Sequence, residues 1–323
     1  MRAFADALEG PDWSTWSSAL PFLRQVAFRR APRMGLGWMV RRWLPAGTRY
    51  FNVGHSNLTR QVLGAFPKDR VTVLIHDTIP LDLPDLQRPG IPERFRRKFD
   101  AVTDKAGNIL CISHDTRQAV IRHAAQVDIA NGLLVAPNGV DLAEPDEDEI
   151  PTELDTGRPF FVVLGTIEPR KNHALLLDIW EDLGADAPAL VICGHRGWLN
   201  EDVFARLDHA AFMGRTVFEC PGLSDGAVAA LLEKSRGLLF PSLAEGFGLP
   251  AFEAAARGVP VLCSPLPAVK EHLGSLPIYA DIADKSRWQT AIVELASRTG
   301  DDRPRPVETP DWSAHFKIAL TNT

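Results

Sequence analysis

Two carboxylates, a pair of adjacent cations and two glycine turns are the parts of this sequence that could do chemistry. In the string FPSLAEGFGLPAFEAAARG, which starts at Phe240, Glu245 precedes a Gly-Phe-Gly turn and Glu253 follows it, with seven residues between the two acids. The apolar run Gly237 to Phe240 leads in and an Ala-rich stretch leads out, so the segment reads as strand, loop and helix. Pro250 falls in the first helical turn, where a missing N–H forfeits no hydrogen bond. The free N–H groups of such a turn form a concave, partly positive edge that suits an anion. With a carboxylate on either side, that edge would fit a sugar nucleotide.

A second anchor is Gly165-Thr166-Ile167-Glu168-Pro169-Arg170-Lys171-Asn172, another glycine turn ahead of a helical stretch. A helix N-terminus already carries partial positive charge, so placing Arg170 and Lys171 there costs stability unless an anion arrives. The expected anion is a diphosphate, reached from the wall opposite Glu245. In the first half, His76 ends a β-rich run and is the leading candidate there, with Asp77 placed to orient it. His55, Asn57 and Ser113 also end strand-like runs, and Asn138 with Gly139 forms an Asn-Gly-Val-Asp turn; these are the weaker candidates for a cleft.

The elements that must hold these residues alternate. Tyr50–Val53, Val71–Ile75, Asn108–Ile112 and Leu133–Ala136 read as strands, with a helix over IPERFRRKFDAVTDK and another from the Ser113 cap to about His123. The alternation restarts with Phe160–Leu164, a helix from His173 to Leu183, Ala189–Cys193, Val217–Phe218, a helix from about Asp225 to Ser235, Gly237–Phe240 and Val259–Cys263. Between the halves, AEPDEDEIPTELDTGRP reads as a solvated acidic linker, and its Asp-Glu-Asp core is assigned no chemistry and no metal. Repeated βα units predict parallel sheets that bind ligands at strand C-termini. A chain of 323 residues suits two such α/β domains.

Composition is that of a soluble globular protein, 45% hydrophobic and 24% charged, and a net charge of −6 argues against general nucleic-acid binding. No apolar run reaches the roughly 20 residues of a membrane span, and the four cysteines, without a CxxC pair, suggest a reducing cytoplasm and no zinc site. Residues 21–45 mix six arginines with Phe22, Phe28, Trp38 and Trp43, a surface that could rest on anionic lipid as a peripheral contact. Neither GxGxxG nor a Ser-His-Asp or Cys-His pattern is present, against a dehydrogenase or a covalent hydrolase.

The Glu245–Pro250 string and the Glu168–Asn172 loop closely resemble the donor-site motifs of the family-4 retaining glycosyltransferases. That resemblance implies a GT-B fold, two Rossmann-like domains facing across a cleft. It implies an N-terminal domain over 1–143 joined by a crossover helix over 310–323, a linker over 144–158 and a nucleotide-sugar domain over 159–309. It places Glu245 on the transferred sugar, the amides of Phe247, Gly248 and Leu249 on sugar and diphosphate, and Glu253 on the ribose. Lys171 takes the family's lysine position, and His76 the place near the sugar. Thr166, next to Gly165, stands where the family commonly has arginine, and Arg170 is the expected substitute; Gly222 and Leu223 lie where the base is selected.

The implied reaction is retaining transfer of a hexose, by a mannosyltransferase-like enzyme, from a UDP- or GDP-sugar to a glycan or lipid-linked acceptor in cell-surface polysaccharide synthesis. It would be cytoplasmic and use no cofactor beyond that co-substrate. Residues 1–20 lack the family's opening strand and Gly-rich loop, so the N-terminal domain is expected to be incomplete, through a late start or a real loss. A donor-binding or scaffolding subunit without turnover is the alternative, and a sugar-nucleotide epimerase a third.

Overall fold

The computed structural model describes residues 33–124, 132–298 and 303–321. Helix α1 (Leu36–Trp43) precedes a first sheet of β1 (Tyr50–Asn52), β2 (Val71–Ile75), β3 (Asn108–Cys111) and β4 (Leu133–Val135), with α2 (Ile91–Lys105) and α3 (His114–His123) in the crossovers. A second sheet holds β5 (Phe160–Leu164), β6 (Ala189–Cys193), β7 (Val217–Glu219), β8 (Gly237–Phe240), β9 (Val261–Cys263) and β10 (Ile278–Tyr279). Its helices are α4 (His173–Leu183), α5 (Glu201–His209), α6 (Asp225–Lys234), α7 (Leu249–Ala256), α8 (Pro267–Leu273) and α9 (Lys285–Ser297); α10 (Trp312–Thr321) comes last.

Every strand pair is parallel, in the orders β1-β2-β3-β4 and β10-β9-β8-β5-β6-β7. Side chains alternate across a strand, and both faces of the second sheet are covered. Phe160, Val162, Ala189 and Val191 pack into one core, while Phe161, Val163, Leu190 and Ile192 pack into another. The first of these cores also takes in Leu74 and Leu110 of the first sheet and Ile112 just after β3, so the two halves share apolar contact.

Strand order decides where a ligand can sit. In the second sheet the order reverses between β5 and β8, and in parallel sheets ligands bind beside the loops that leave the C-terminal ends at such a reversal. Those loops are Gly165–Asn172 and Pro241–Gly248.

The acidic stretch is not a free linker. Glu147–Glu149 forms a 3-10 turn against α6: the Asp146 N–H donates to Gly226, Lys234 pairs with Glu147 at 2.8 Å, and Ser224 bonds Glu149. The acids remain exposed to solvent, as expected, and they also dock because α6 offers a serine cap and a lysine facing them. Helices α5, α8 and α9 and strand β10 are additions to the elements read from sequence. The last helix lies against β4: Trp312 Nε1 donates to Asp141 at 3.0 Å, His315 Nδ1 meets the Ala136 carbonyl at 3.1 Å, and Gly139 leaves room for the Trp312 ring. Among the described residues no helix is long and apolar enough to cross a membrane.

Candidate functional site

The loop after β5 and the loop after β8 are stapled together. Leu243 N–H donates to the Arg170 carbonyl at 2.8 Å, and Arg170 Nη1 donates to the Ala244 carbonyl at 2.8 Å. Glu245 Oε1 lies 2.7 Å from Lys171 Nζ and 2.8 Å from Arg170 Nη1, while Arg170 Nη2 reaches Glu168 Oε1 at 2.6 Å. Lys171 is 8% exposed and Glu168 4%, so the cluster is desolvated. Burial works against the Arg170 charge, but Glu245 and then Glu168 outweigh it and hold the guanidinium above its ordinary value.

This corrects the expectation that Lys171 and Arg170 face Glu245 across an open pocket. They are in contact with it, and the electrostatic cost of cations ahead of a helix is met by carboxylates of the chain itself. The backbone is bent to allow this. Gly165 has φ +130°, a conformation other residues rarely adopt, and a side chain there would meet Lys171 Cε at 3.2 Å. Asn172 takes φ 53° between the 3-10 turn Pro169–Lys171 and α4. The Lys171 ammonium also lies 5.1 Å from the Phe240 ring centre, over the last residue of β8.

Two cavities flank the cluster. One of about 360 Å³ is lined by Gly165, Thr166, Gly222, Leu223 and Glu253, so it gathers five of the residues proposed from sequence. His195 and Asp141 also line it; they were not singled out, although His195 follows a strand as His76 does and Asp141 closes the Asn-Gly-Val-Asp turn. Burial pushes the Glu253 carboxyl above its usual range; Arg257 opposes the shift and Asp225 adds to it. The Arg257 guanidinium is engaged by Glu233 at 2.8 Å and the Ala143 carbonyl at 2.6 Å, which brings the chain after β4 into the cavity wall. The other cavity, about 250 Å³, has Glu245 on one side and Asp77, Asp82 and Asp115 of the first half on the other.

The first-half candidates all lie at strand C-terminal ends, but their roles divide. His76 Nε2 is 2.8 Å from the Val53 carbonyl, and His55 Nε2 is 2.9 Å from the Leu74 carbonyl, with the two rings 5.3 Å apart. Asp77 does not orient His76: its Oδ1 accepts from Ile79 N–H at 3.0 Å, and burial raises its carboxyl, with that bond and Arg170 opposing. Ser113 is fully buried rather than open to a cleft. It caps α3 and donates to the Gly246 carbonyl at 2.7 Å, joining the two halves. Asn57 is an exposed turn residue at φ 56°, and Asn138 is half-buried beside the Gly139–Trp312 contact.

In the Gly-Phe-Gly turn the Phe247 side chain belongs to the core, 4.4 Å from the His272 ring centre and 5.9 Å from that of Phe252, so only its backbone remains for a ligand. Gly248 takes φ +91° as the residue before α7, and Leu249 is exposed at the helix start. The α3 N-terminus is already filled. Glu271 accepts from His114 N–H at 2.8 Å, so that helix end holds a carboxylate of the chain itself.

Behind Lys171, His173 is 1% exposed and neither ring nitrogen has a hydrogen-bond partner. Burial, reinforced by Lys171, pushes its imidazole down to about 4 from 6.5. The unfolded chain then binds the proton first as pH falls, so folding stability is intact above about pH 6.5 and is lost toward pH 4, by about 3 kcal/mol from this group. His173→Leu is expected to flatten that part of the stability curve. Urea unfolding at pH 7, 5.5 and 4 measures it, and an unchanged slope would contradict the assignment.

Residues 145–276 match the family described as Glycosyl transferases group 1. The chain is similar to the serotype-specific mannosyltransferase WbdA of Escherichia coli, at 30% identity over 260 residues, 76% of this chain and 30% of WbdA. It is 25% identical to O-antigen chain mannosyltransferase B of Escherichia coli over 256 residues, covering 77% of this chain and 66% of that protein. The chain therefore spans less than a third of WbdA and about two thirds of the second relative. Among solved structures, Anabaena HepE, crystallised with UDP and glucose, superposes with a TM-score of 0.58 at 16% identity, covering 74% of this chain and 67% of HepE.

Proposed function

From a chain whose residues 145–276 are a group 1 glycosyltransferase domain within a GT-B fold, we propose a retaining hexosyltransferase. It moves a sugar, mannose being the first to try, from a UDP- or GDP-sugar to a glycan or lipid-linked acceptor in cell-surface polysaccharide synthesis. The mannosyltransferase names of the relatives support the sugar, and the UDP held by HepE supports the class of donor. The observation that carries the reading is the buried Lys171–Glu245–Arg170 cluster at the β5–β8 reversal, next to a cavity that contains Glu253.

In this reading the nucleoside lies in the 360 Å³ cavity, with Glu253 on the ribose hydroxyls and Gly222 and Leu223 beside the base. The diphosphate runs past Gly165 and Thr166 toward Lys171. As it arrives it takes over Lys171 and Arg170 from Glu245, and the released carboxylate turns to the hydroxyls of the transferred sugar. Lys171, Arg170 and the Phe247, Gly248 and Leu249 amides then stabilise the negative charge that grows on the leaving diphosphate. His76, fixed by the Val53 carbonyl, faces the sugar from the first half. No step calls for a further cofactor.

Titration with UDP, GDP and their mannose and glucose conjugates, followed by turnover with glycan acceptors, tests this. Glu253→Gln is expected to weaken the preferred nucleotide by about tenfold, the loss of a charge-assisted bond. If neither nucleotide binds the wild-type chain below millimolar concentration, the donor reading fails.

The chain is proposed to work at the cytoplasmic face of a membrane. Trp38 at 63% exposure, Trp43, Arg41 and Arg42 line the open side of α1 and would meet anionic headgroups. The other arginines of 21–32 lie outside the described residues. Equal flotation with neutral and anionic vesicles would argue against this contact.

A further inference from the structure

At the opposite end of the second sheet, Arg158 leads into β5, Gly184 follows α4, and residues 210–216 lead into β7. Together they enclose a cavity of about 460 Å³, within the size range of small-molecule sites and separate from the proposed donor cavity. Its walls are apolar where Trp180, Ala185 and Phe212 line it. Trp180 is fully buried, its indole N–H taken by the Pro188 carbonyl at 2.8 Å, so it backs the wall while Ala185 and the half-buried Phe212 supply the accessible apolar surface.

The polar groups are not matched. Thr216 is 4% exposed, and its hydroxyl has no hydrogen-bond partner. The Arg158 guanidinium has a buried Nη2, also without one. The carboxylate in the wall, Glu181, does not serve them, because Arg206 holds it at 2.9 Å. Arg215 adds a further guanidinium at the rim. Buried donors normally find acceptors, and leaving them unpaired is costly. Here a guanidinium and a hydroxyl, both able to donate, converge on one apolar-walled space.

The geometry points to a second ligand site in this cavity for a small anion, a carboxylate or phosphate monoester carried on an aromatic or aliphatic body. The charged end meets Arg158 and Thr216, and the body lies against Ala185 and Phe212. Binding here uses none of the residues assigned to the donor, so it stands or falls apart from the proposed transferase activity.

Calorimetric titration of the full chain with phenyl phosphate, phenylacetate, inorganic phosphate and benzyl alcohol tests it. The aryl phosphate, the aryl carboxylate or both are expected to saturate one site at or below about 1 mM. Inorganic phosphate, lacking the body, and benzyl alcohol, lacking the charge, should each be at least about tenfold weaker. Arg158→Ala should cost about tenfold or more, Arg158→Lys less, and the near-isosteric Thr216→Val about threefold, while Glu253→Gln leaves the affinity unchanged. Three outcomes overturn the proposal. They are no saturation by either aryl anion below about 10 mM, equal binding of benzyl alcohol, or loss of binding in Glu253→Gln with retention in Arg158→Ala.

Discussion

Lys171→Ala is expected to lower turnover by about 10²–10³, the scale on which enzymes respond to the loss of one preorganised charge-stabilising group. The ammonium is 8% exposed, 2.7 Å from Glu245, and has its stem laid against Gly165. In the proposed reaction it is the cation that passes from Glu245 to the departing diphosphate, so it acts most strongly after the glycosidic bond has begun to break. The loss should therefore fall on kcat more than on donor affinity.

Stability will change too. Breaking a buried ion pair by removing one partner typically costs about 3–5 kcal/mol, but Arg170 remains on the same Glu245 oxygen, so about 2 kcal/mol is expected here. Lys171→Met separates the two effects, since it keeps the stem against Gly165 and removes only the charge. Should Lys171→Met turn over within fivefold of the wild-type rate, charge stabilisation by this residue is excluded. Arg170→Ala completes the set: unchanged donor affinity and turnover there would remove Arg170 from the site, leaving it to hold Glu168 and the Ala244 carbonyl.

Gly246→Ala is expected to disable the chain without touching a charged group. A Cβ at this position would lie 2.2 Å from the His76 carbonyl oxygen and 3.2 Å from Asp77 Cβ. The obstacle is main chain of the first half, which cannot swing aside as a flexible side chain would. Relief requires the loop to move by about 1 Å, a displacement that can cost about 10²-fold in rate when it misplaces reacting groups. It would also strain the Ser113 bond to the Gly246 carbonyl at 2.7 Å and separate Glu245 from Asp77, with which it lines one cavity.

Overpacking of this kind costs about 1–3 kcal/mol in folding stability. Gly54→Ala is the matched control, because a Cβ there meets nothing within 4 Å. Thermal unfolding and turnover of both variants measure the difference. A Gly246→Ala chain with wild-type turnover would show that this contact does not set the working geometry.

The candidate site was legible as a set of places more than as a set of contacts. Glycine turns, a proline in the first helical turn and strand-ending polar residues are local signals, and the residues they mark lie in the loops and the helix start that follow parallel strands. Sequence spacing could not show that Phe247 turns into the core against His272, or that Ser113 spends its hydroxyl on Gly246 instead of facing a ligand. Nor could it show that the acidic stretch docks on α6, because the lysine and serine that receive it are distant in sequence. The strand end at His195 and the turn closed by Asp141 were visible, but a loop residue becomes a cavity wall only through its neighbours in space.

By itself, then, the sequence determined the alternation of strand and helix, the two glycine loops and the residue types they carry, since these follow from hydrophobic period and backbone freedom within a few residues. The tertiary structure decided which loops meet. The order β10-β9-β8-β5-β6-β7 sets β5 beside β8, and so brings Lys171 and Glu245, 74 residues apart, to 2.7 Å. Strand order is chosen by packing over the whole sheet and leaves no local trace. The charge state of the site follows from it: read along the chain, Arg170 and Lys171 are two cations awaiting an anion, whereas in the fold their charge is balanced by Glu245 and Glu168.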